Sequence, residues 1–326
     1  MVSAQRLPTP ERPRVVVTVA TFNGRHLLET FLPSVEQQTF REFRVVVVDD
    51  ASSDDTVEWL THVWPDVEIV GLEQNGGVTR AFNVGIRAAW DGEMIGLFNN
   101  DMELAPECLQ QLVDALDQYP GAGSVGAKLL NYYERDVIDG AGDLFDWAGT
   151  GTRRGHGEQD TGQYDEAREI FGACAGAALY RRTAFEQVGL FDERFYAFFE
   201  DVDWSLRAQL AGRPARYAPS AVAFHMGSAT LGRGMTDFTR YQLTRNSLWI
   251  LAKDYPVSAL VRHSPRILYV QAAAFVVAVR GRQLRVWMRA TRDAFRALPA
   301  VLRDRREVQR TRTAPLREVE EIVAAR

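Results

Sequence analysis

Two short runs of β-branched residues, Val15–Ala20 (VVVTVA) and Arg44–Val48 (RVVVV), constrain this chain more than any other feature. Neither run alternates apolar with polar residues, so neither suits a strand with one wet face. Such runs belong to parallel strands covered on both sides. Between them, Leu27–Gln37 carries apolar residues at helical spacing, which predicts a strand–helix–strand unit. The alternation continues with a helix over Thr56–His62, a strand over Val67–Val70, a helix over Val78–Trp90 and a fourth strand over Glu93–Phe98. The expected class is therefore α/β: an open, Rossmann-like, mostly parallel sheet flanked by helices.

In open sheets of this kind, ligands bind at the carboxyl ends of the strands. Each predicted strand here is followed by a polar cluster. Thr21, Phe22, Asn23 and Gly24 follow the first, DDASSD (49–54) the second, QNGG (74–77) the third and NND (99–101) the fourth. All four fall on one rim, which marks it as the functional edge. Residues 133–169 are rich in Gly, Asp and Arg with little periodicity and predict a long connection containing an irregular hairpin. A short strand-like segment, a helix over Thr183–Val188 and a helix from Asp201 onward follow.

Composition narrows the partners. The chain of 326 residues has a net charge of −5, but residues 256–326 carry 15 Arg and 6 acidic side chains, a net of +9, which leaves −14 for the rest. An acidic body argues against a nucleic-acid-binding core; only the tail suits an anionic surface. The sequence divides into a flexible leader over 1–13, an α/β domain over 14–255 and a basic amphipathic helical tail over 256–326. The leader has no apolar core of a signal peptide. The longest apolar run, Ile267–Val279, is 13 residues long, and a spanning helix needs about 20. The stretch 256–300 fits a membrane interface, a helical lid with a solvated Arg face, or an oligomerisation surface. Two cysteines, Cys108 and Cys174, in no CxxC pair, indicate a reducing compartment.

Several rim residues could carry chemistry. Of Asp49 and Asp50, one can cap the helix that begins near Asp54 while the other faces a ligand. Asn99, Asn100 and Asp101 resemble a hard-cation site completed by substrate phosphates, although an Asn-rich turn reads the same way. Glu200, Asp201 and Asp203 open a helix and could simply complement its dipole. Crowding by Phe195, Tyr196, Phe198 and Phe199 would instead raise a carboxyl pKa toward general-base work. His225, with Gly227 and Ser228 beside it, could hold a cation or a phosphate, or be a hydrogen-bonded structural residue. No GxSxG, HExxH or Walker loop is present.

Taken in order, TFNG, VVVDDASSD, NGGVTRAFNVGI, LFNND, GLFDERFYAFFEDVDW and FHMGS resemble the family-2 inverting glycosyltransferases of the GT-A fold, nearest the rhamnosyltransferase-like branch. The resemblance covers roughly residues 14 to 250. It implies a nucleotide-sugar donor bound by Thr21, Phe22, Asn23, Asp50, Asn99 and Asn100, with Phe22 bordering the base and Asp50 on base or ribose. It implies a Mg²⁺ or Mn²⁺ ion held by Asp101, with His225 holding metal or diphosphate, and Asp201 as catalytic base beside Glu200. Arg80 and Arg207 are candidate diphosphate or acceptor contacts that could equally decorate helix surfaces. Two departures stand out: Ala20 replaces a polar residue common in relatives, and Asn99 replaces the first acid of the metal motif. The implied donor is dTDP-rhamnose or a UDP-hexose, and the acceptor a glycan or polyprenyl-linked glycan at the cytoplasmic face of a bacterial membrane. A sugar-phosphate nucleotidylyltransferase and a silent nucleotide-sugar-binding scaffold are the alternatives.

Overall fold

The computed structural model describes residues 5–227 and 235–324. The alternating half comprises β1 (Val15–Thr21), α1 (Arg25–Glu36), β2 (Phe43–Asp49), α2 (Thr56–Val63), β3 (Glu68–Gly71), α3 (Val78–Ala88) and β4 (Met94–Asn99). The predicted elements are all present, their ends moved by a residue or two. Next come β5 (Met102–Leu104), α4 (Cys108–Gln118), β6 (Ser124–Asn131), β7 (Ile138–Gly140), the hairpin β8 (Asp143–Asp146) and β9 (Thr150–Arg153), and β10 (Arg168–Ile170). After these follow β11 (Ala177–Arg181), α5 (Arg182–Val188), α6 (Glu200–Leu210) and β12 (Ala215–His225). Four helices complete the described chain: α7 (Asp237–Lys253), α8 (Val257–Arg280), α9 (Leu284–Thr311) and α10 (Leu316–Ala324).

The main sheet runs β10-β12-β6-β11-β4-β1-β2-β3. Strands β4, β1, β2 and β3 are parallel, and β12 is parallel to β6. Strand β11 is inserted antiparallel between β4 and β6. Its reversed direction brings the segment before it back to the rim, where the Asn99 N–H donates to the Gly176 carbonyl at 2.9 Å. One sheet face is packed by α1 and α4 through residues such as Leu28, Phe31, Leu109 and Leu112. The other is packed by α3, α5 and α6 through Phe82, Ile86, Phe185 and Trp204. Helix α3 lies so close to β1 that a Cβ on Gly85 would sit 2.0 Å from Thr18 Cγ2.

Two boundaries differ from the sequence reading. Leu7 is buried, Arg6 pairs with Asp66, and the Gln5 N–H donates to the Val63 carbonyl, so residues 5–7 are docked rather than a free leader. Nor does the structure break at 255. Helices α9 and α10 bury Val301, Val308 and Val319 in one cluster with Phe195, Leu206 and Trp249 of the preceding domain. Helix α8 differs from its neighbours. It buries only Ala259 and Ala278, while Leu268, Tyr269, Phe275, Val276, Val277 and Val279 are exposed.

A buried charge network joins the C-terminal helices to α6. Lys253, at the end of α7, pairs with Asp203 of α6 and with Asp192 at 2.9 Å. Arg207 Nε donates to Asp203 Oδ2 at 2.9 Å. A buried pair is a weak source of net stability, but removing one partner strands the other charge. Lys253→Met is expected to destabilise the protein by about 3–5 kcal/mol, read as a lower midpoint in urea denaturation. An unchanged midpoint would show that Asp203 and Asp192 need no third partner.

Candidate active site

The strand ends converge on an open cleft of about 1010 Å³. Thr21, Phe22, Asp50, Asn99, Asn100, Asp101, Glu200, Asp201 and His225 all line it, so most of the residues singled out from the sequence meet there. On the β1 side, Thr21 Oγ1 accepts a hydrogen bond from Asn100 Nδ2 at 3.0 Å, which joins the first and fourth rim loops. Phe22 is 39% exposed, a large ring left free at the mouth. The Asp50 carboxylate accepts from the N–H groups of Gly76 and Gly77 at 2.7 and 3.0 Å. Burial raises its pKa; those two donors and the nearby Arg80 offset part of the rise. Gly77 has φ +81°, and a Cβ there would meet the Tyr196 carbonyl oxygen at 2.6 Å, so this tight approach requires glycine.

Some expectations about this side change. Asn23 does not line the cleft. Its Oδ1 accepts from the Ser53 and Asp54 N–H groups and its own N–H donates to Ser52 Oγ, so it latches two loops together. Neither Asp49 nor Asp50 caps α2. Asp49 accepts from the Ser52 N–H, and Asp54 Oδ1 accepts from the Thr56 N–H at 3.1 Å.

At the far end of the rim, β12 pairs antiparallel with β5 and brings His225 opposite Met102, beside Asp101. His225 Nε2 lies 3.3 Å from Asp101 Oδ2, and Nδ1 donates to Asp139 Oδ2 at 2.8 Å. Burial disfavours the imidazolium, but hydrogen bonds to the two carboxylates outweigh it and push the His225 pKa up to about 9. Asp139 is also ion-paired with Arg153. Ser228, expected beside His225 in the same motif, lies outside the described residues.

The third part of the site is the turn into α6. Tyr196, Phe198 and Phe199 adopt φ of +65°, +64° and +68°, a left-handed backbone that costs aromatic residues about 1–3 kcal/mol each. The fully buried Asn246 of α7 holds the turn. Its Nδ2 donates to the carbonyls of Phe195, Ala197 and Phe198 at 3.1, 3.0 and 2.7 Å. Arg245 donates to the Arg194 and Phe195 carbonyls at 3.0 Å. Helix α6 then starts at Glu200 with both carboxyls in the cleft. Burial raises the pKa of Asp201, partly offset by N–H donation from Val202 and by Arg153. Burial and the adjacent Asp201 push Glu200 up to about 8. Arg207 is not at the cleft: it donates to Asp203 and to the carbonyls of Val188 and Leu190, so a ligand contact there is excluded by its burial.

With this geometry in view, the comparisons with known proteins are decisive. Residues 16–189 match the family described as glycosyl transferase family 2. The chain belongs to glycosyl transferase family 2. It is 31% identical, over 67% of its own length and 77% of the relative's, to the N-acetylglucosaminyl-diphospho-decaprenol L-rhamnosyltransferase of Mycobacterium tuberculosis. It is also 31% identical to the uncharacterized protein y4gI of Sinorhizobium fredii over 73% of this chain, but spans only 27% of that protein. Among solved structures, GalNAc-T7 with UDP, GalNAc and Mn²⁺ superposes with a TM-score of 0.61 at 16% identity, covering 78% of this chain and 52% of that one. The fold is that of the GT-A glycosyltransferases.

In this glycosyltransferase the residues that sequence reasoning missed come from the aperiodic region and from α7. Asp139, Asp143 and Arg153 all lie on or beside the short strands within 133–169, where no period exposes a role. Asp143, Cys174 and Asp201 bring one ligand atom each within 4.8 Å of one another. They form a poor cation site, because burial pushes the thiol pKa far up and the Arg153 charge already acts on all three. Asn246 left no sequence signal beyond its place in a helix. Asn246→Ala removes the donor to the Ala197 and Phe198 carbonyls, a loss of about 1–3 kcal/mol for each left unpaired, while the Phe195 carbonyl keeps Arg245. It is expected to lower the urea midpoint and to cut sugar turnover at least tenfold at temperatures where the variant remains folded. Full turnover in a folded variant would separate the turn from catalysis.

Proposed function

We propose that this family-2 glycosyltransferase is a metal-dependent, inverting enzyme that moves a sugar from a nucleoside-diphosphate donor to an acceptor hydroxyl. The observation that carries the reading is the pairing, within one cleft, of Asp201 on α6 with Asp101 and His225 at the ends of β4 and β12. Asp201 has a pKa raised by burial, which suits a general base near neutral pH. A single displacement that inverts configuration needs one such base. Glu200, pushed up to about 8, is mostly protonated at neutral pH and is not a rival to it.

The residues present fit a divalent cation. Asp101 would supply a buried carboxylate and His225 its Nε2, on release of the proton that Nε2 holds toward Asp101, while Asp139 fixes the ring through Nδ1, the outer-shell support that metal-binding histidines use. Mg²⁺ or Mn²⁺ there would neutralise charge growing on the diphosphate leaving group. Phe22 borders the base, Asp50 faces base or ribose, and Thr21, Asn99 and Asn100 shape the wall between them. Arg80, half-buried on α3 near Asp50, supplies positive charge on the donor side.

The preferred donor is dTDP-rhamnose or a UDP-hexose, and the acceptor a glycan or polyprenyl-linked glycan of a bacterial surface polysaccharide. The name of the mycobacterial relative supports both choices. Helix α8 supports a peripheral membrane contact on the cytoplasmic face. Its exposed run from Ile267 to Val279 contains no charge, and residues 255–292 hold seven Arg and no acid. No helix among the described residues is long and apolar enough to cross a membrane.

A donor panel with Mn²⁺ or Mg²⁺ tests the chemistry. One nucleotide sugar should bind and turn over, and Asp201→Asn should keep binding while losing turnover by at least a hundredfold, within the range removed with a general base. Turnover by Asp201→Asn equal to wild type would remove the base assignment. For the membrane, the protein should sediment with vesicles containing anionic phospholipid and not with neutral ones, and a Phe275→Asp, Val276→Asp variant should stay in the supernatant. Equal sedimentation of wild type and variant would count against α8 as the contact.

A further inference from the structure

The cleft floor carries a chain of alternating charge. Asp101 meets His225 Nε2, His225 Nδ1 meets Asp139, and Asp139 is ion-paired with Arg153. Arg153 stands directly opposite Asp143 across the β8–β9 hairpin, and Asp143 lies within 4.8 Å of Asp201 by their nearest ligand atoms. The chain therefore runs from the proposed metal end to the proposed base. Arg153 lies at its middle: one-third of the side chain is open to the cleft, although dense protein surrounds it on the other sides. Its stem packs over Gly140, where a Cβ would approach the Arg153 Cδ at 3.3 Å.

We propose that Arg153 is a positioning residue whose fixed positive charge, anchored by Asp139, keeps Asp201 in its ionised, general-base form within a cluster of three neighbouring carboxyl groups. The inference rests on the glycosyltransferase mechanism proposed above and deepens it. Three acids, Asp143, Glu200 and Asp201, share a small buried volume, and like charges so placed cannot all ionise. The groups facing Asp201 are Glu200 on its own helix, Asp143 on β8, Arg153 on β9, Cys174 before β11 and Tyr180 within β11, while Asp203, two residues on, is turned to Arg207 and Lys253. Arg153 is the positive member of that set. Asp143 and Glu200 are held well above the usual carboxylate range by burial and by Asp201; Arg153 favours the anions of both Asp143 and Asp201, and Asp201 also accepts from the backbone N–H groups of Val202 and Ala175.

The consequence is a pH dependence with a definite sign. Asp201 must be ionised to act, so activity falls as pH drops through its pKa. Removing Arg153 raises that pKa and moves the acid limb of kcat/KM upward. Arg153→Gln is expected to shift the limb by about one pH unit or more, with turnover recovering toward wild type at high pH. Arg153→Lys keeps the charge and should restore most of the wild-type profile. Asp143→Asn removes a competing acid and should move the limb down or leave it in place. A Gln variant that loses turnover equally at every pH would overturn the proposal, as would an Asp143→Asn limb that moves up.

If Arg153→Gln fails to fold, the Lys and Asp143→Asn profiles decide by the same criteria. A carboxyl ¹³C titration, with the Asp201 resonance assigned by its loss in Asp201→Asn, reads the same ionisation without any substrate. An Asp201 pKa unchanged between wild type and Arg153→Gln overturns the Arg153 role even if no donor turns over. Wild-type protein that turns over no donor while this pKa does move would instead overturn the enzymatic reading alone.

Discussion

Everything at the cleft depends on how the chain enters α6. Three aromatic residues hold left-handed backbone there, and strain of that kind persists only where surrounding structure over-determines it. Asn246 supplies that constraint by spending its side-chain amide on three carbonyls of one turn. Below it, Lys253, Asp203, Arg207 and Asp192 fix the body of the helix through buried charge. The C-terminal helices are thus part of the catalytic unit. A chain cut after β12 would retain the sheet and its rim but lose the supports that aim Asp201 into the cleft.

The second constraint is electrostatic. Carboxyl groups crowd one end of the cleft and would, unaided, share protons without a fixed assignment. The two ends are differentiated by what lies behind them. At the β12 end, His225 and Arg153 together hold Asp139 below the usual carboxylate range despite its burial. At the α6 end, burial dominates and the acids are raised. One end favours anions, while at the other Glu200 keeps its proton near neutral pH. That division is what a transfer reaction with a charged leaving group and a neutral nucleophile needs.

The parallel half of the fold was legible because its strands are buried on both faces, which leaves unbroken Val runs with little ambiguity. The rim residues followed from topology alone, since Thr21, Asp50, Asn99 and Asp101 all sit at or just past strand ends. What could not be read had no local period to betray it. Asp139 acts through a long-range contact with His225 and Arg153 through Asp139, and neither lies at a strand end of the parallel set. Asn23 and Arg207 show the opposite error. Each is polar and near a motif, yet each spends its hydrogen bonds within the fold, which sequence proximity does not distinguish from facing a ligand.

The tail makes the same point in reverse. As a sequence, 256–326 is uniformly basic and amphipathic, which leaves a lid and a membrane helix equally open. In space the two descriptions separate. Helices α9 and α10 place Val301, Val308 and Val319 against the catalytic core and behave as a brace. Helix α8 has apolar residues around much of its circumference between Arg266 and Arg280, and buries only two alanines. Soluble monomers seldom expose so continuous an apolar surface without a partner. Because Arg280, Arg282, Arg285 and Arg289 follow one another at its end, in a stretch from 255 to 292 that contains no acid, a symmetric second copy would bring like charges together. An anionic lipid surface would satisfy both the apolar run and its charge, and α9, packed on α8 and on α7, would connect such a surface to the helix whose Lys253 pairs with α6.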